Sequence, residues 1–183
     1  VDGVLSIGEH GDYPWNEKEQ HLYPRRRFFS EIADTMDRFQ CVVPVFNDKH
    51  LGPVWEDALW MYQRAQSLNI PFMAGSSLPV SYRIPDQTIA LGSQIDIAVG
   101  VGYSGLDIYG IHTLEVFQSI VERRHQGESG VRSVQWFAAP EMWRLLDDGT
   151  IPKDVLDAAI AVTPKANNQA QLRDLDGDGV GLF

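Results

Sequence analysis

The feature that most constrains the fold is a regular alternation of strand-like and helix-like segments between residues 1 and 77. Three short apolar runs have the length and composition of buried parallel strands, and they are residues 4–7, 41–46 and 70–74. Between them, apolar residues recur at helical spacing in residues 25–39 and 53–69. The order strand, helix, strand, helix, strand predicts three parallel strands in one sheet, connected by two helical crossovers, and therefore an α/β fold.

The second half of the chain does not continue this alternation. Residues 77–93 contain two prolines and show no helical period, so we interpret them as the passage between two domains, predicted at 1–83 and 84–183. The second domain is predicted to be of mixed α+β type. Its predicted strands are 95–101 and 131–137, its predicted helices are 108–124, 141–146 and 153–162, and the candidate buried positions of its last strand are Val131, Val134 and Phe137.

Charge limits the partners of the chain. The 25 Asp and Glu residues against 15 Lys and Arg residues give a net charge of −10, which argues against a nucleic acid or an anionic membrane surface as the main partner. The compact basic run from Arg25 to Arg27 lies at the start of a predicted helix, and we interpret it as a solvated helix end rather than a nucleic-acid patch. A small polar molecule is the expected ligand.

Cysteine content and hydropathy indicate a protein of a reducing compartment. Cys41 is the only cysteine, which excludes a disulfide or a cysteine-based zinc site within this chain. The sequence has no Glu and His pairs at metal-ligand spacing, so we predict no metal site. It also has no apolar stretch long enough to span a membrane and no signal-peptide pattern at its N-terminus. We therefore expect a cytoplasmic protein with no membrane partner.

Two short motifs each have a functional and a structural interpretation. Residues 100–105 match the dinucleotide fingerprint G-x-G-x-x-G, but the following predicted strand supplies no carboxylate for a ribose, so close backbone packing at a domain entry is favoured. Residues 174–179 resemble the first half of a calcium-binding loop. The bidentate Glu of such a loop is missing, so a turn is favoured there.

A candidate site follows the second predicted strand, where Asp48, Lys49 and His50 are adjacent. A lysine at the carboxyl end of a buried strand can be partly desolvated, which lowers its pKa and suits it to proton transfer. The alternative is an ordinary exposed loop lysine. The crevice at the carboxyl ends of parallel strands is where α/β proteins bind their ligands, and this location supports the functional interpretation.

The neighbouring strand ends contribute further polar residues. His10 and Asp12 follow the first strand, and Ser76 follows the third. Since the carboxyl ends of parallel strands lie at the same edge of a sheet, we predict that His10, Lys49 and Ser76 surround one crevice. The alternative for His10 and Asp12 is a local role as turn residues that are satisfied by nearby hydrogen bonds.

Asp107 and His112 flank the start of the predicted helix at 108–124 and form a second candidate pair. A carboxylate and an imidazole together suit proton transfer, although their spacing of five residues is not ideal for one helix face. The remaining histidines, His21 and His125, are predicted to be surface residues.

The order of these elements and motifs resembles the latter part of the glucose-fructose oxidoreductase / inositol dehydrogenase (Gfo/Idh/MocA-like) family, over residues 1–137. In that family a Rossmann domain precedes a domain built on a large, mostly antiparallel sheet. The resemblance implies a parallel βαβαβ Rossmann-like remnant followed by an α+β segment of a mostly antiparallel sheet. Because the chain opens directly in a strand and the family's cofactor turn lies further upstream, we expect a fragment of a longer protein.

The resemblance also implies roles for individual residues. The family's Glu-Lys-Pro, whose Lys lies near the nicotinamide and the substrate, corresponds to Asp48, Lys49 and His50. Its helix motif Asp-x-Gly-x-His corresponds to the helix entry at His112, where Asp107 stands one position before the usual acid. The implied catalytic residues are Lys49, His112 and Asp107, the implied cofactor-binding residues are His10, Asp48 and Lys49, and the implied substrate-binding residues are Arg83, Ser76 and His50.

The activity implied by the resemblance is oxidation of a sugar or polyol hydroxyl with NAD or NADP, with Lys49 and His112 as the proton-transfer pair. The alternative is a non-catalytic module that binds a small polar ligand in the same crevice. Since the family's cofactor turn lies upstream, we expect this chain to bind no dinucleotide. We also expect a homodimer through residues 95–137, because unpaired strand edges favour association and family members pair through their second-domain sheets.

Overall fold

The computed structural model describes residues 1–8, 11–102, 105–162 and 179–182, the last of these for the backbone alone. The chain divides into two compact units. The first consists of Val1–Tyr82 and Asp107–Val116, and the second consists of Arg83–Leu106 and Phe117–Phe183.

The first unit contains a three-stranded parallel sheet, as the alternation in the sequence predicted. Strand β1 pairs with β2, and β2 pairs with β3, so the order in the sheet follows the order in the chain. The elements of this unit are β1 (Val4–Ser6), α1 (Arg25–Phe39), β2 (Val45–Asp48), α2 (Trp55–Ser67), β3 (Phe72–Gly75), a 3-10 helix (Leu78–Val80) and most of α3 (Leu106–Val121). The chain is therefore a mixed α/β protein, and the predicted crossover helices at 25–39 and 53–69 correspond to α1 and α2.

The core of this unit lies between the sheet and the two crossover helices. Helix α1 places Phe29, Ala33 and Met36 on one buried stripe, because these residues recur every three or four positions. The core residues of this unit are Phe29, Ala33, Met36, Val45, Met61, Ala65 and Ile70. Burying their apolar side chains is the main favourable contribution to the stability of this unit.

The opposite face of the sheet is exposed. In the pairing register, Leu5 lies beside Phe46 and Phe46 lies beside Met73. Leu5 is 71% exposed and Met73 is 68% exposed, whereas Val45 in the next row is 2% exposed. The exposed side chains of Leu5 and Met73 lie on a face of the sheet that the described residues leave open to solvent. In β2, the alternation of side chains separates the buried Val45 and Asn47 from the half-buried Phe46.

The second unit contains a two-stranded antiparallel ribbon and two short helices after the end of α3. Strand β4 (Val134–Phe137) pairs with β5 (Gly179–Leu182), helix α4 covers Ala139–Asp147 and helix α5 covers Lys153–Ala161. The helices predicted at 108–124, 141–146 and 153–162 correspond to α3, α4 and α5. None of the described helices is both long enough and apolar enough to cross a lipid bilayer.

Two predictions for this unit are wrong. Residues 95–101 form no strand, and Ile97 and Val101 are exposed there instead of packing in a sheet. Val131 and Val134 were candidate buried positions, but each is 59% exposed. A ribbon of two strands has two solvent faces unless another layer packs on it, so alternation along the strand does not lead to burial here.

A pair of methionine substitutions tests the location of the core. Met61 is completely buried between the helices and the sheet, whereas Met73 is on the exposed row. We expect Met61→Ala to lower the free energy of unfolding by about 2–5 kcal/mol through lost burial and a residual cavity. Met73→Ala should change it by about 0.5 kcal/mol or less. Urea unfolding of both variants measures the difference, and equal effects would contradict this description of the core.

Candidate functional site

The candidate site is built on the loop that follows β2, and the buried side chain of Asn47 holds that loop. Asn47 is 3% exposed in the central strand of the sheet. Its Nδ2 group donates hydrogen bonds to the carbonyl oxygens of Lys49 at 3.0 Å and His50 at 3.4 Å. The Lys49 N–H donates to the carbonyl oxygen of Gly75 at 2.9 Å, which ties the loop to β3. The loop is therefore attached to both the middle and the neighbouring strand.

The backbone of Lys49 has an unusual conformation. Its φ is 112°, a value that residues other than glycine rarely adopt, and Gly52 in the same loop has a φ of 136°. Such a conformation costs on the order of 1–3 kcal/mol and persists only where the surroundings enforce it, here through the hydrogen bonds of Asn47 and Gly75. Strained residues of this kind cluster at functional sites, so the position of Lys49 supports a role for it.

The side chain of Lys49 forms a partly desolvated ion pair with its neighbour. Lys49 Nζ lies 2.9 Å from Asp48 Oδ2, and the two side chains are only 12% and 15% exposed. The other carboxylate oxygen, Asp48 Oδ1, is buried and has no hydrogen-bond partner among the described residues. A buried acceptor without a hydrogen-bond partner lowers the stability of the fold by about 1–3 kcal/mol. A functional role is one explanation for such a group in a native structure.

A hairpin at residues 13–23 forms one wall of the site. Asn16 Oδ1 accepts hydrogen bonds from the backbone N–H groups of Lys18 and Gln20, which closes the turn. The His21 ring stacks on Trp15 with ring centroids 4.4 Å apart and planes 5° apart. The His21 backbone N–H donates to Asp107 Oδ2 at 3.1 Å, so this wall is attached to the first turn of α3.

Together these elements enclose a small cleft at the carboxyl edge of the sheet. Its lining residues are His21, Tyr23, Arg25, Lys49, His50, Asp107 and Ile108. The cavity volume is about 20 Å³, enough for one or two water molecules or one functional group of a larger ligand. Arg25, at the start of α1, is 7% exposed, and its guanidinium lies 4.7 Å from the centroid of the Tyr23 ring. The cleft therefore combines two cations, a carboxylate and two imidazoles.

His50 is neutral in this setting, and its tautomer follows from geometry. The Gly52 backbone N–H donates to His50 Nδ1 at 3.1 Å, so Nδ1 is unprotonated and the ring hydrogen is on Nε2. Burial lowers the pKa of His50 below its ordinary value of 6.5, and the charges of Arg25 and His112 lower it further, while Asp107 acts in the opposite direction. His50 therefore offers an Nε2–H donor at neutral pH.

His112, on α3, contacts Ser76 at the end of β3. Ser76 is 8% exposed, and its hydroxyl oxygen lies 2.5 Å from His112 Nδ1 and accepts a hydrogen bond from the Leu78 N–H at 3.1 Å. This contact joins the residue that follows β3 to α3.

The structure brings together several of the residues proposed from the sequence. Lys49, His50 and Asp107 line the same cleft, and Asp48 contacts Lys49. Ser76 contacts His112, and His112 is close enough to influence the pKa of His50. Arg83 belongs to the second unit and is not among the residues that line this cleft. His10 lies outside the described residues, so its predicted position in the crevice stays a prediction.

Sequence reasoning wrongly assigned two residues of the cleft to the surface. Arg25 was assigned to a solvated helix end, but it is buried, because it packs on Tyr23 and donates its backbone N–H to the Tyr23 carbonyl oxygen. His21 was assigned to the surface, but it is half-buried in the hairpin. The signal available in the sequence was the density of aromatic residues between 13 and 23, which indicates an ordered loop.

The dinucleotide fingerprint lacks the context that it requires. Residues 100–102 and 105 of the G-x-G-x-x-G segment follow no strand, so the strand, turn and helix arrangement of this motif is not formed there. The expectation that this chain binds no dinucleotide stays a prediction. In the segment that resembles a calcium-binding loop, residues 174–178 lie outside the described residues. Within the described residues, no group of three His, Cys, Asp or Glu side chains is placed to hold a metal ion.

Comparisons of the chain with protein families, with curated proteins and with solved structures gave no match. The functional argument therefore rests on the chemistry of the cleft.

Acid titration tests the neutral state of His50. A histidine whose pKa is lower in the folded than in the unfolded protein binds fewer protons when folded, so its contribution to stability is complete above about pH 6.5 and is lost as the pH falls below it. When the pH is lowered from about 7 to about 5, we expect the free energy of unfolding to fall less for His50→Gln than for the wild type. Urea unfolding at several pH values measures this difference.

The matched control for that experiment is His125→Gln, since His125 is exposed in the second unit. That variant should retain the pH dependence of the wild type. A His50→Gln variant with the same pH dependence as the wild type would show that the pKa of His50 is not lowered.

Proposed function

We propose that the cleft binds a small hydroxyl-bearing ligand, a sugar or a polyol, and that the chain carries the substrate-side part of an oxidoreductase similar to the Gfo/Idh/MocA-like family. The single observation that carries this proposal is the Lys49 and Asp48 ion pair, partly desolvated on a strained loop at the carboxyl edge of a parallel sheet. Its place at a strand end, in a cleft with His50 and Asp107, supports a binding site for an oxygen-rich molecule.

The cleft supplies both kinds of hydrogen-bonding group that a hydroxyl requires. The Lys49 ammonium and the His50 Nε2–H donate to hydroxyl oxygens, and the Asp107 carboxylate accepts a hydroxyl hydrogen. Removing the proton from a hydroxyl group is half of its oxidation. In this proposal Asp107 accepts that proton, while the Lys49 ammonium stabilises the negative charge that develops on the oxygen.

Asp107 lines the cleft, whereas His112 is not among its lining residues and contacts Ser76 through Nδ1. We therefore assign proton acceptance to Asp107 and propose that His112 is a positioning residue beside the cleft. The proposal extends to ligand binding and hydroxyl deprotonation and includes no hydride step.

A second candidate function is a module that binds the same ligands without chemistry. The observation that favours it is that no strand among the described residues leads into a glycine-rich turn at a helix start. Titration with NAD and NADP tests this candidate, because micromolar binding of either nucleotide would contradict a module that acts without a cofactor.

Calorimetric titration with glucose, myo-inositol and sorbitol tests the proposed ligand class. We expect saturable binding of at least one of them to the wild type. Lys49→Met should weaken that binding by about tenfold, because a charged hydrogen bond contributes about 1.5 kcal/mol. Lys153→Met is the control, since Lys153 is exposed on α5 in the second unit and should leave the affinity unchanged.

The result that would overturn the proposal is equally specific. If the wild type binds none of the three compounds at millimolar concentrations, the cleft is not a sugar or polyol site. If Lys49→Met and Lys153→Met both bind with wild-type affinity, the ligand is held elsewhere on the chain.

A further inference from the structure

The groups around His50 also suit a reaction that requires no redox cofactor. This inference rests on the proposed function, because it takes the ligand of the cleft to be a sugar. A neutral imidazole that donates from Nε2 can polarise a carbonyl oxygen, and a carboxylate on the other side of the same carbon skeleton can remove the adjacent carbon-bound proton. The cleft holds both groups in His50 and Asp107.

The orientation of the carboxylate is fixed by a neighbouring element. Asp107 Oδ2 accepts the His21 backbone N–H at 3.1 Å, and the hairpin that carries His21 is closed by its own hydrogen bonds. This contact restrains the orientation of the carboxylate group through Oδ2. We therefore assign proton transfer to the other oxygen, Oδ1. A general base held in one orientation is more effective than a mobile one, because the entropy of positioning is lost before the reaction begins.

The imidazole is fixed in a similar way. The contact between Gly52 N–H and His50 Nδ1 sets the tautomer, and the two hydrogen bonds from Asn47 hold the backbone on which His50 lies. The side chains that influence the charge of His50 are Arg25 from α1 and Asp107 and His112 from α3. The cations of Arg25 and Lys49 line the same cleft and favour an oxyanion that forms there.

The cavity volume limits how much of a ligand can enter the cleft. About 20 Å³ is too small for a whole sugar and admits one functional group, such as the carbonyl end of an open-chain aldose or ketose. The remaining hydroxyl groups of such a ligand lie outside the enclosed part of the cleft.

We propose that this cleft exchanges the proton on the carbon next to a sugar carbonyl and so interconverts an aldose and a ketose, with Asp107 as the base and His50 as the hydrogen donor. Asp107 takes the proton from C2, and the electron pair of that C–H bond forms the C1–C2 double bond. The carbonyl π electrons move to O1, which receives the Nε2 hydrogen of His50.

The return steps complete the balance of atoms and electrons. His50 Nε2 takes the hydrogen of the C2 hydroxyl, and the electrons of that O–H bond form the new carbonyl at C2. The C1–C2 double-bond electrons then take the proton back from Asp107 at C1. Both protein groups return to their starting states, and the reaction consumes no oxidant or reductant.

Proton NMR in D₂O tests this proposal with the full chain and no nucleotide. The substrates are glucose, fructose, xylose and xylulose, and the signal is the replacement of the C2 or C1 hydrogen by deuterium together with the appearance of the partner sugar. We expect the wild type to exceed the rate in buffer alone. Asp107→Asn should lower the rate by about 100-fold or more, since removing a general base has an effect of that size.

Variants of His50 distinguish the effect of losing its N–H donor from the effect of losing its packing. Glutamine places an N–H group near the position of Nε2, so His50→Gln should retain more of the exchange than His50→Phe, which has no donor. His125→Gln is the control and should exchange at the wild-type rate. Circular dichroism melting of each variant identifies any change that comes from unfolding.

Saturation-transfer NMR with the same sugars distinguishes failure of this inference from failure of the proposed function. Sugar binding without deuterium exchange by the wild type overturns the inference and leaves the binding function in place. No sugar binding overturns both. Exchange that persists in Asp107→Asn shows that another base acts and contradicts the assignment made here.

Discussion

The two hydrogen bonds from the Asn47 side-chain amide are the interaction on which the candidate site depends. Asn47 lies in the middle strand, between Ser6 of β1 and Ala74 of β3 in the pairing register, so its position is fixed on both sides. From there its amide binds the carbonyl oxygens of Lys49 and His50. These bonds offset the cost of the positive φ at Lys49 and allow two functional side chains to follow the strand end in a fixed conformation.

The electrostatics of the cleft follow from the same arrangement. Burial and the charge of Arg25 both disfavour protonation of His50. His50 is thus an N–H donor near neutral pH, while the carboxylate of Asp107 provides an acceptor in the same cleft. This division of roles suits ligands rich in oxygen.

The sequence was sufficient to predict the parts of the fold that depend on local periodicity. Helix α1 begins and ends where the apolar period of residues 25–39 does, and the parallel order of β1, β2 and β3 follows from the alternation of elements. The run at 95–101 was misassigned because an apolar run does not reveal whether a partner strand is available for pairing.

The site was only partly predictable because its walls meet through long-range contacts. Lys49, His50 and Asp107 were identified from their places at element ends. The bond that joins His21 to Asp107 connects residues 86 positions apart, and nothing in either local sequence indicates it. The burial of Arg25 depends on its packing against Tyr23, whereas composition rules assign arginine to the surface.

The central claim is that His50 is neutral, with the hydrogen on Nε2, in a preformed site. Two-bond proton–nitrogen correlation NMR of the imidazole rings at neutral pH measures this directly in the free protein. We expect a pyridine-type Nδ1 and a pyrrole-type Nε2 for His50. A hydrogen on Nδ1 of His50, or two protonated nitrogens on that ring, would contradict the claim.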